Sequence, residues 1–235
     1  MLQLPVAGGG VLDIRPSKII AVGLNYRAHV KESNEAFGRK LEGLPREPVL
    51  FAKTPNVLIG PGEPIILPAL VGGYRFDEPR TDLEAELAFI ISRRARHVPE
   101  AEALGYVLGY TCFNDVSQRN IQMGDPSGWF RGKSFDSFGP IGPVLVRQED
   151  LPNPGNLAIR SRLNGELKQE ASTADMIFSV PALLAFISKN MTLEAGDIIA
   201  TGTPSGVSPI KAGDTVEIEI EGIGILTNPV IAERL

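Results

Sequence analysis

Asp82-Leu83-Glu84-Ala85-Glu86-Leu87-Ala88-Phe89-Ile90 is a carboxylate pair set in an apolar ribbon. In an extended strand, residues two apart share a face. Glu84 and Glu86 therefore point the same way, along a face that continues into Ala88 and Ile90. The other face carries Leu83, Ala85, Leu87 and Phe89. Neither face reads as solvent, so the acids must pair, protonate or bind a cation. A third acid, Asp115, ends the apolar run 106–113 in Phe113-Asn114-Asp115. Three converging carboxylates form a hard-oxygen site suited to Mg²⁺ or Mn²⁺, and Ca²⁺ fits the same donors. Alone, the Glu-x-Glu pair would equally suit a solvated strand edge.

The 235 residues suffice for one β-rich domain with a sizeable core. A hydrophobic fraction of 43% and a charged fraction of 22% are ordinary for a globular protein. No apolar run approaches the ~20 residues of a membrane span. The opening Met1-Leu2-Gln3-Leu4-Pro5 lacks the basic start and apolar core of a signal peptide. The single cysteine, Cys112, lies in an apolar segment and has no internal partner, which suits a reducing cytoplasm. A net charge of -5 argues against a nucleic-acid footprint. With only Cys112, His29 and His97 as soft or nitrogen ligands, zinc is not expected.

Scattered among the residues, 25 glycines and 19 prolines cut the chain into short elements. Strand patterns fall at 19–22, 49–52, 83–91, 109–113, 144–146, 159–163, 197–201 and 215–220. Helical periodicity is confined to 26–32 with Asn25 as N-cap, 100–107, and 180–190 after Ser179. Asn164-Gly165 is a two-residue hairpin turn joining 160–163 to 166–169. The expected fold is α+β and β-rich, a mixed β-sandwich roll with short peripheral helices. The polar stretch 33–47 is a candidate lid.

Five motifs occur in order: Gly23-Leu24-Asn25-Tyr26 with His29 and Glu32; Glu84-x-Glu86; Asn114-Asp115-Val116 with Arg119 and Gln122; Lys133-Ser134-Phe135-Asp136-Ser137-Phe138 leading to Pro140-Ile141-Gly142-Pro143; and Thr201-Gly202-Thr203-Pro204-Ser205-Gly206. In this order they resemble the fumarylacetoacetate hydrolase superfamily, specifically its small members akin to acylpyruvases, oxaloacetate decarboxylases and 2-hydroxyhepta-2,4-diene-1,7-dioate isomerases. The resemblance implies that Glu84, Glu86 and Asp115 bind a divalent metal. It implies that Arg119, Gln122, Thr203 and Lys133 line the substrate pocket and that His29 with Glu32 activates water. It also implies a homodimer acting on a small 2-oxo acid. Residues 1–18 read as a short leader and 19–235 as one catalytic domain, without the large N-terminal domain of the mammalian-type hydrolase. Gly139 stands where relatives often carry Cys or Ala, a change that would alter pocket shape.

His29 and Glu32 stand at i and i+3, so their side chains meet on one helical face. A carboxylate beside an imidazole orients it and raises its basicity, as deprotonating water requires; a surface ion pair would show the same spacing. The run from Ser127 to Ser134 imitates a phosphate-binding loop but has Ser127 where its first glycine belongs, and Trp129, Phe130 and Arg131 would crowd phosphates. Lys133 reads instead as an ammonium facing developing enolate charge, or as an ion-pair partner of a nearby carboxylate. His97, beside Arg93, Arg94 and Arg96, belongs to a solvated turn. The expected activity is metal-dependent hydrolysis of a C–C bond in a 2,4-dioxo acid of acylpyruvate type. Decarboxylation or isomerisation of a 2-oxo or 2-hydroxy-diene dicarboxylate would proceed through the same enolate. A non-catalytic Ca²⁺- or nucleotide-binding module is the reading from another class.

Overall fold

The antiparallel pairing of Ala85–Ile91 with Val107–Asn114 organises the molecule. All seven residues of Ala85–Ile91 are buried, so this strand is covered on both faces and shows no polar alternation. The computed structural model describes residues 2–37, 43–126 and 128–234. The pair lies inside a mixed seven-stranded sheet ordered Val49–Lys53, Ile19–Gly23, Ile198–Ala200, Ala85–Ile91, Val107–Asn114, Gly139–Arg147, Leu58–Ile59. A second sheet of five strands, Glu166–Ser172, Ala158–Leu163, Thr215–Ile220, Gly224–Ala232 and Ile65–Leu67, packs across its central strands. Ile159, Ile218, Ile220 and Leu226 meet Leu87, Phe89 and Cys112 in one continuous core. The fold is the β-rich α+β roll expected. No helix among the described residues is long and apolar enough to cross a membrane.

Alternation placed Thr215–Ile220 with its observed bounds, because one face of that strand packs inward and the other carries Glu217 and Glu219. Asn164 and Gly165 have φ of 53° and 81°, the left-handed pair that the tight hairpin turn requires. The helix Val180–Asn190 begins where Ser179 Oγ accepts from the Ala182 amide.

Elsewhere tertiary contacts overrode local pattern. The ribbon read as one strand, 83–91, is two: Thr81–Leu83 joins a small three-stranded sheet, and Ala85–Ile91 joins the large one. They separate at Glu84 because side chains satisfy the local amides. Glu84 N–H donates to Asn114 Oδ1 at 2.9 Å and Ala85 N–H to Gln169 Oε1 at 3.0 Å. The helix expected over 26–32 spans Arg27–Phe37, so the start of the stretch proposed as a lid is helical. Residues 38–42 of that stretch lie outside the described residues. Asn25 is not its N-cap. Its amide donates to Phe178 O and Thr201 O and accepts from Phe178 N–H, tying three loops together.

The segment 100–107 forms a 3₁₀ helix, Glu100–Tyr106, instead of an α-helix. Leu2–Pro5 and Val11–Ile14, within the stretch read as a leader, form a hairpin that buries Leu4 and Ile14 in the core. Gly139 lies inside a strand, where a Cβ would stand 2.5 Å from Val57 Cγ2 and 3.1 Å from Phe113 Cζ. It serves core packing and does not line the pocket described next.

Candidate active site

Strand register brings the three acids together. Glu86 pairs with Phe113 and Ala85 with Asn114, so Asp115 follows directly and its N–H donates to Glu84 O at 3.0 Å. One carboxylate oxygen from each of Glu84, Glu86 and Asp115 lies within 4.8 Å of the others, and all three residues are buried. The neighbouring strand Ile198–Ala200 delivers Thr201–Thr203 over the cluster, and Gly202 N–H donates to Glu86 Oε2 at 2.8 Å.

Two short helices that the sequence pattern did not announce supply the cations. Arg119–Gly124 starts where Gln118 accepts from the Ile121 amide, an uncommon cap, and Phe130–Lys133 is a single turn. Gly132 makes their contact possible. A Cβ there would fall 2.7 Å from Gln122 N and 2.8 Å from Gln118 O, so only glycine allows the two backbones to touch.

From these helices Lys133 Nζ reaches Glu84 Oε2 at 2.7 Å and Asp115 Oδ2 at 2.6 Å. Arg119 donates through Nε to Asp82 Oδ2 at 2.8 Å, through Nη1 to Gln122 Oε1 at 3.0 Å, and through Nη2 to Glu84. A residue that sequence reasoning missed completes the cluster: Lys53 Nζ donates to Asp115 Oδ1 at 2.6 Å. Lys53 ends an apolar strand and is fully buried, and no spacing marks it. Asp82, also buried, was quoted in the ribbon but given no role.

The cluster is electrostatically uneven. Burial opposes ionisation of Glu84, but the charges of Arg119 and Lys133 outweigh it and hold its carboxyl well below the usual carboxylate range. Glu86 makes no ion pair among the described residues, and burial, then the charges of Asp115 and Glu84, push its carboxyl well above that range. Burial disfavours the Lys133 ammonium, yet Asp115 and Glu84 raise it above an ordinary lysine. Lys53, whose burial dominates, is lowered. A compact set of three carboxylates, one of them short of positive charge, fits a hard divalent cation. Glu84, Glu86 and Asp115 would hold it.

The pocket over this cluster is lined by eight of the nine residues singled out from sequence: His29, Glu84, Glu86, Asp115, Arg119, Gln122, Lys133 and Thr203. The ninth, Glu32, stands behind His29. Its Oε2 accepts from His29 Nδ1 at 2.9 Å and its Oε1 accepts from Gly206 N–H at 2.9 Å. Burial alone would raise the Glu32 carboxyl, but its bonds to His29 and Gly206 bring it below its ordinary value. In the neutral imidazole, donation from Nδ1 to Glu32 leaves Nε2 as the acceptor nitrogen, and Ser33 Oγ lies 3.4 Å from it. Thr203 Oγ1 accepts from Gln169 Nε2 at 2.8 Å, so its orientation is fixed by a side chain not anticipated from sequence. Leu24, in the same lining, has φ 58°, backbone strain of the kind held at functional sites.

Lys53 holds Oδ1 of Asp115, which predicts a measurable effect on stability. Removing one partner of a buried ion pair costs about 3–5 kcal/mol. For a chain of this length that is a fall of roughly 6–20 °C in thermal midpoint. Lys53→Met in chelator should show this fall, and saturating Mg²⁺ should narrow it by restoring positive charge beside Asp115. A midpoint equal to wild type in chelator would show that Lys53 does not hold Asp115.

Residues 18–231 match the family model for the fumarylacetoacetate (FAA) hydrolase C-terminal domain. The chain is 40% identical over 224 residues to a mitochondrial oxaloacetate tautomerase of Xenopus laevis, covering 92% of this chain and 66% of that protein. Among solved structures it superimposes on 2-hydroxyhepta-2,4-diene-1,7-dioate isomerase from Mycobacterium marinum with a TM-score of 0.80 and 42% identity, covering 94% of this chain and 77% of that one. Maleylpyruvate hydrolase from Sphingobium, solved with manganese(II) and pyruvate, gives a TM-score of 0.77 and 34% identity over 93% of this chain and 72% of that one. The carboxylate cluster, its attendant cations and these similarities agree: the chain belongs to the fumarylacetoacetate hydrolase family.

Proposed function

We propose that the protein hydrolyses the C3–C4 bond of a small 2,4-dioxo acid, giving pyruvate and a carboxylate. The supporting observation is the His29–Glu32 pair, whose imidazole lines the same pocket as the three-carboxylate cluster. A divalent cation, Mg²⁺ or Mn²⁺, would supply Lewis-acid polarisation of the 2-oxo group. The chain's own residues do the rest. Arg119 and Gln122 orient the substrate carboxylate. His29 Nε2 takes a proton from water while Glu32 steadies the imidazolium that forms. The hydroxide adds to C4, the C3–C4 bond breaks, and its electron pair passes to C3 as an enolate. Lys133 stabilises that charge. The proton held by His29 returns to C3, so one water is consumed and one carboxylic acid forms, which gives up its proton to solvent and leaves as its anion.

A second reading is supported by two of the relatives named above, a tautomerase and an isomerase: here a proton would move through the same enolate without addition of water. The two readings separate on the dyad. His29→Ala and Glu32→Gln should lower acylpyruvate hydrolysis by about 10²–10⁴, the usual worth of a general base. Decarboxylation or enolisation of oxaloacetate by the same variants should fall far less. Assays with Mg²⁺ and with Mn²⁺ check this, with oxalate affinity showing that the site survives. Equal losses in both reactions would remove the water-activating role.

A further inference from the structure

Beyond Lys133 the lining of the pocket is aromatic. Lys133 Nζ lies 4.9 Å from the centroid of the Phe51 ring. Phe51 meets Trp129 edge-on, with ring centroids 5.3 Å apart and planes 70° apart. Trp129 in turn lies over Gly23, where a Cβ would stand 2.7 Å from Cζ3 of the indole. Gly23 therefore owes its lack of a side chain to the indole above it. Phe51, Trp129, Gly23 and Leu24 all line the pocket. They form a wall running from the reacting centre at Lys133 outward.

We infer that this wall determines substrate specificity by receiving the distal end of the substrate, and that this end is an apolar acyl group and not a second carboxylate. The inference rests on the proposed reaction at the same site. The cations that line the pocket serve its reacting end: Arg119, bonded to Asp82 and Glu84, meets the carboxylate beside the 2-oxo group, and Lys133, bonded to Glu84 and Asp115, faces the enolate. Arg131, the cation nearest in sequence to Trp129 and Lys133, bonds Asp125 and Tyr74 and does not line the pocket. Phe51 and Trp129 are half-buried, so a distal carboxylate against them would lose part of its water and gain no cation from the described lining in return. An alkyl or aryl end would gain apolar contact there instead.

Trp129 is the chain's single tryptophan, so its emission reports occupancy of the wall directly. Two unreactive probes share one head and differ at the tail: 2-oxohexanoate ends in an alkyl chain and 2-oxoglutarate in a carboxylate. With Mg²⁺ present, 2-oxohexanoate should change Trp129 emission and bind at least about tenfold tighter, a modest step for apolar contact in a pocket. By calorimetry, Trp129→Ala should shrink that ratio towards one while oxalate, which has the head and no tail, binds as before. Gly23→Ala, which pushes the indole aside without removing it, should lower the ratio as well. Equal or tighter binding of 2-oxoglutarate, or an unchanged ratio in Trp129→Ala, overturns the inference while leaving the reaction standing. Failure of oxalate itself to bind the wild type in Mg²⁺ would bring down both.

Discussion

Glu86→Gln is expected to bind Mn²⁺ and Mg²⁺ too weakly for turnover and to reduce activity to that of chelator-treated wild type. The change removes one of three carboxylates that would hold the cation, and an amide puts no charge in its place. The same loss should follow Glu84→Ala and Asp115→Ala, but those variants carry a second effect. Glu84 is bonded to Arg119 and Lys133, and Asp115 to Lys53 and Lys133, so alanine at either strands buried cations and lowers stability. Glu86 makes no ion pair among the described residues, and glutamine keeps its size and an oxygen that can accept from Gly202 N–H. Its variant should therefore melt no lower than wild type in chelator. Calorimetric titration with Mn²⁺, alongside melting curves, separates loss of the cation from loss of the fold. Wild-type metal affinity in Glu86→Gln, or full wild-type activity in chelator, would end the assignment of the cluster to a metal.

The site was legible where chemistry and local geometry coincide. Glu84 and Glu86 stand two apart on an apolar ribbon, and Asp115 closes the next apolar run; strand pairing then leaves them little choice but to meet. His29 and Glu32 needed only one helical turn. Lys53 was illegible because its meaning arises entirely from the end of a strand four places removed in the sheet, where its partner acid stands 62 residues away. Asn25 looked like a helix cap because a cap and a loop clamp ask for the same side chain, and only the arrival of Phe178 and Thr201 decides between them.

The fold shows the same division. Thr215–Ile220 and Val180–Asn190 have periods strong enough to fix their bounds. Leu58–Ile59 and Ile65–Leu67 are two and three residues long, too short for any period, and exist because a sheet edge waits for them. The helices Arg119–Gly124 and Phe130–Lys133 are likewise too short to stand alone and depend on their contact across Gly132. These weakly encoded pieces carry Arg119, Gln122 and Lys133. Chemistry thus resides on elements that the surrounding sheet must hold in place.

Lys133→Met should retain much of the side-chain volume and lower turnover by about 10²–10³, the common loss when one group facing developing charge is removed. The ammonium bonds both Glu84 and Asp115, so its loss has two consequences of opposite sign. The cluster becomes more negative, which favours a divalent cation. The enolate loses a positive neighbour, which slows bond cleavage. Mn²⁺ affinity in the variant should therefore equal or exceed that of wild type while kcat falls, and raising Mn²⁺ should recover nothing. The loss should extend to oxaloacetate, because any reaction through an enolate needs the same charge, whereas the His29 variants spare that substrate. A rate restored by excess metal would reduce Lys133 to a counterion of the carboxylates. Unchanged turnover of every substrate would leave it no part in the chemistry, despite its place in the pocket.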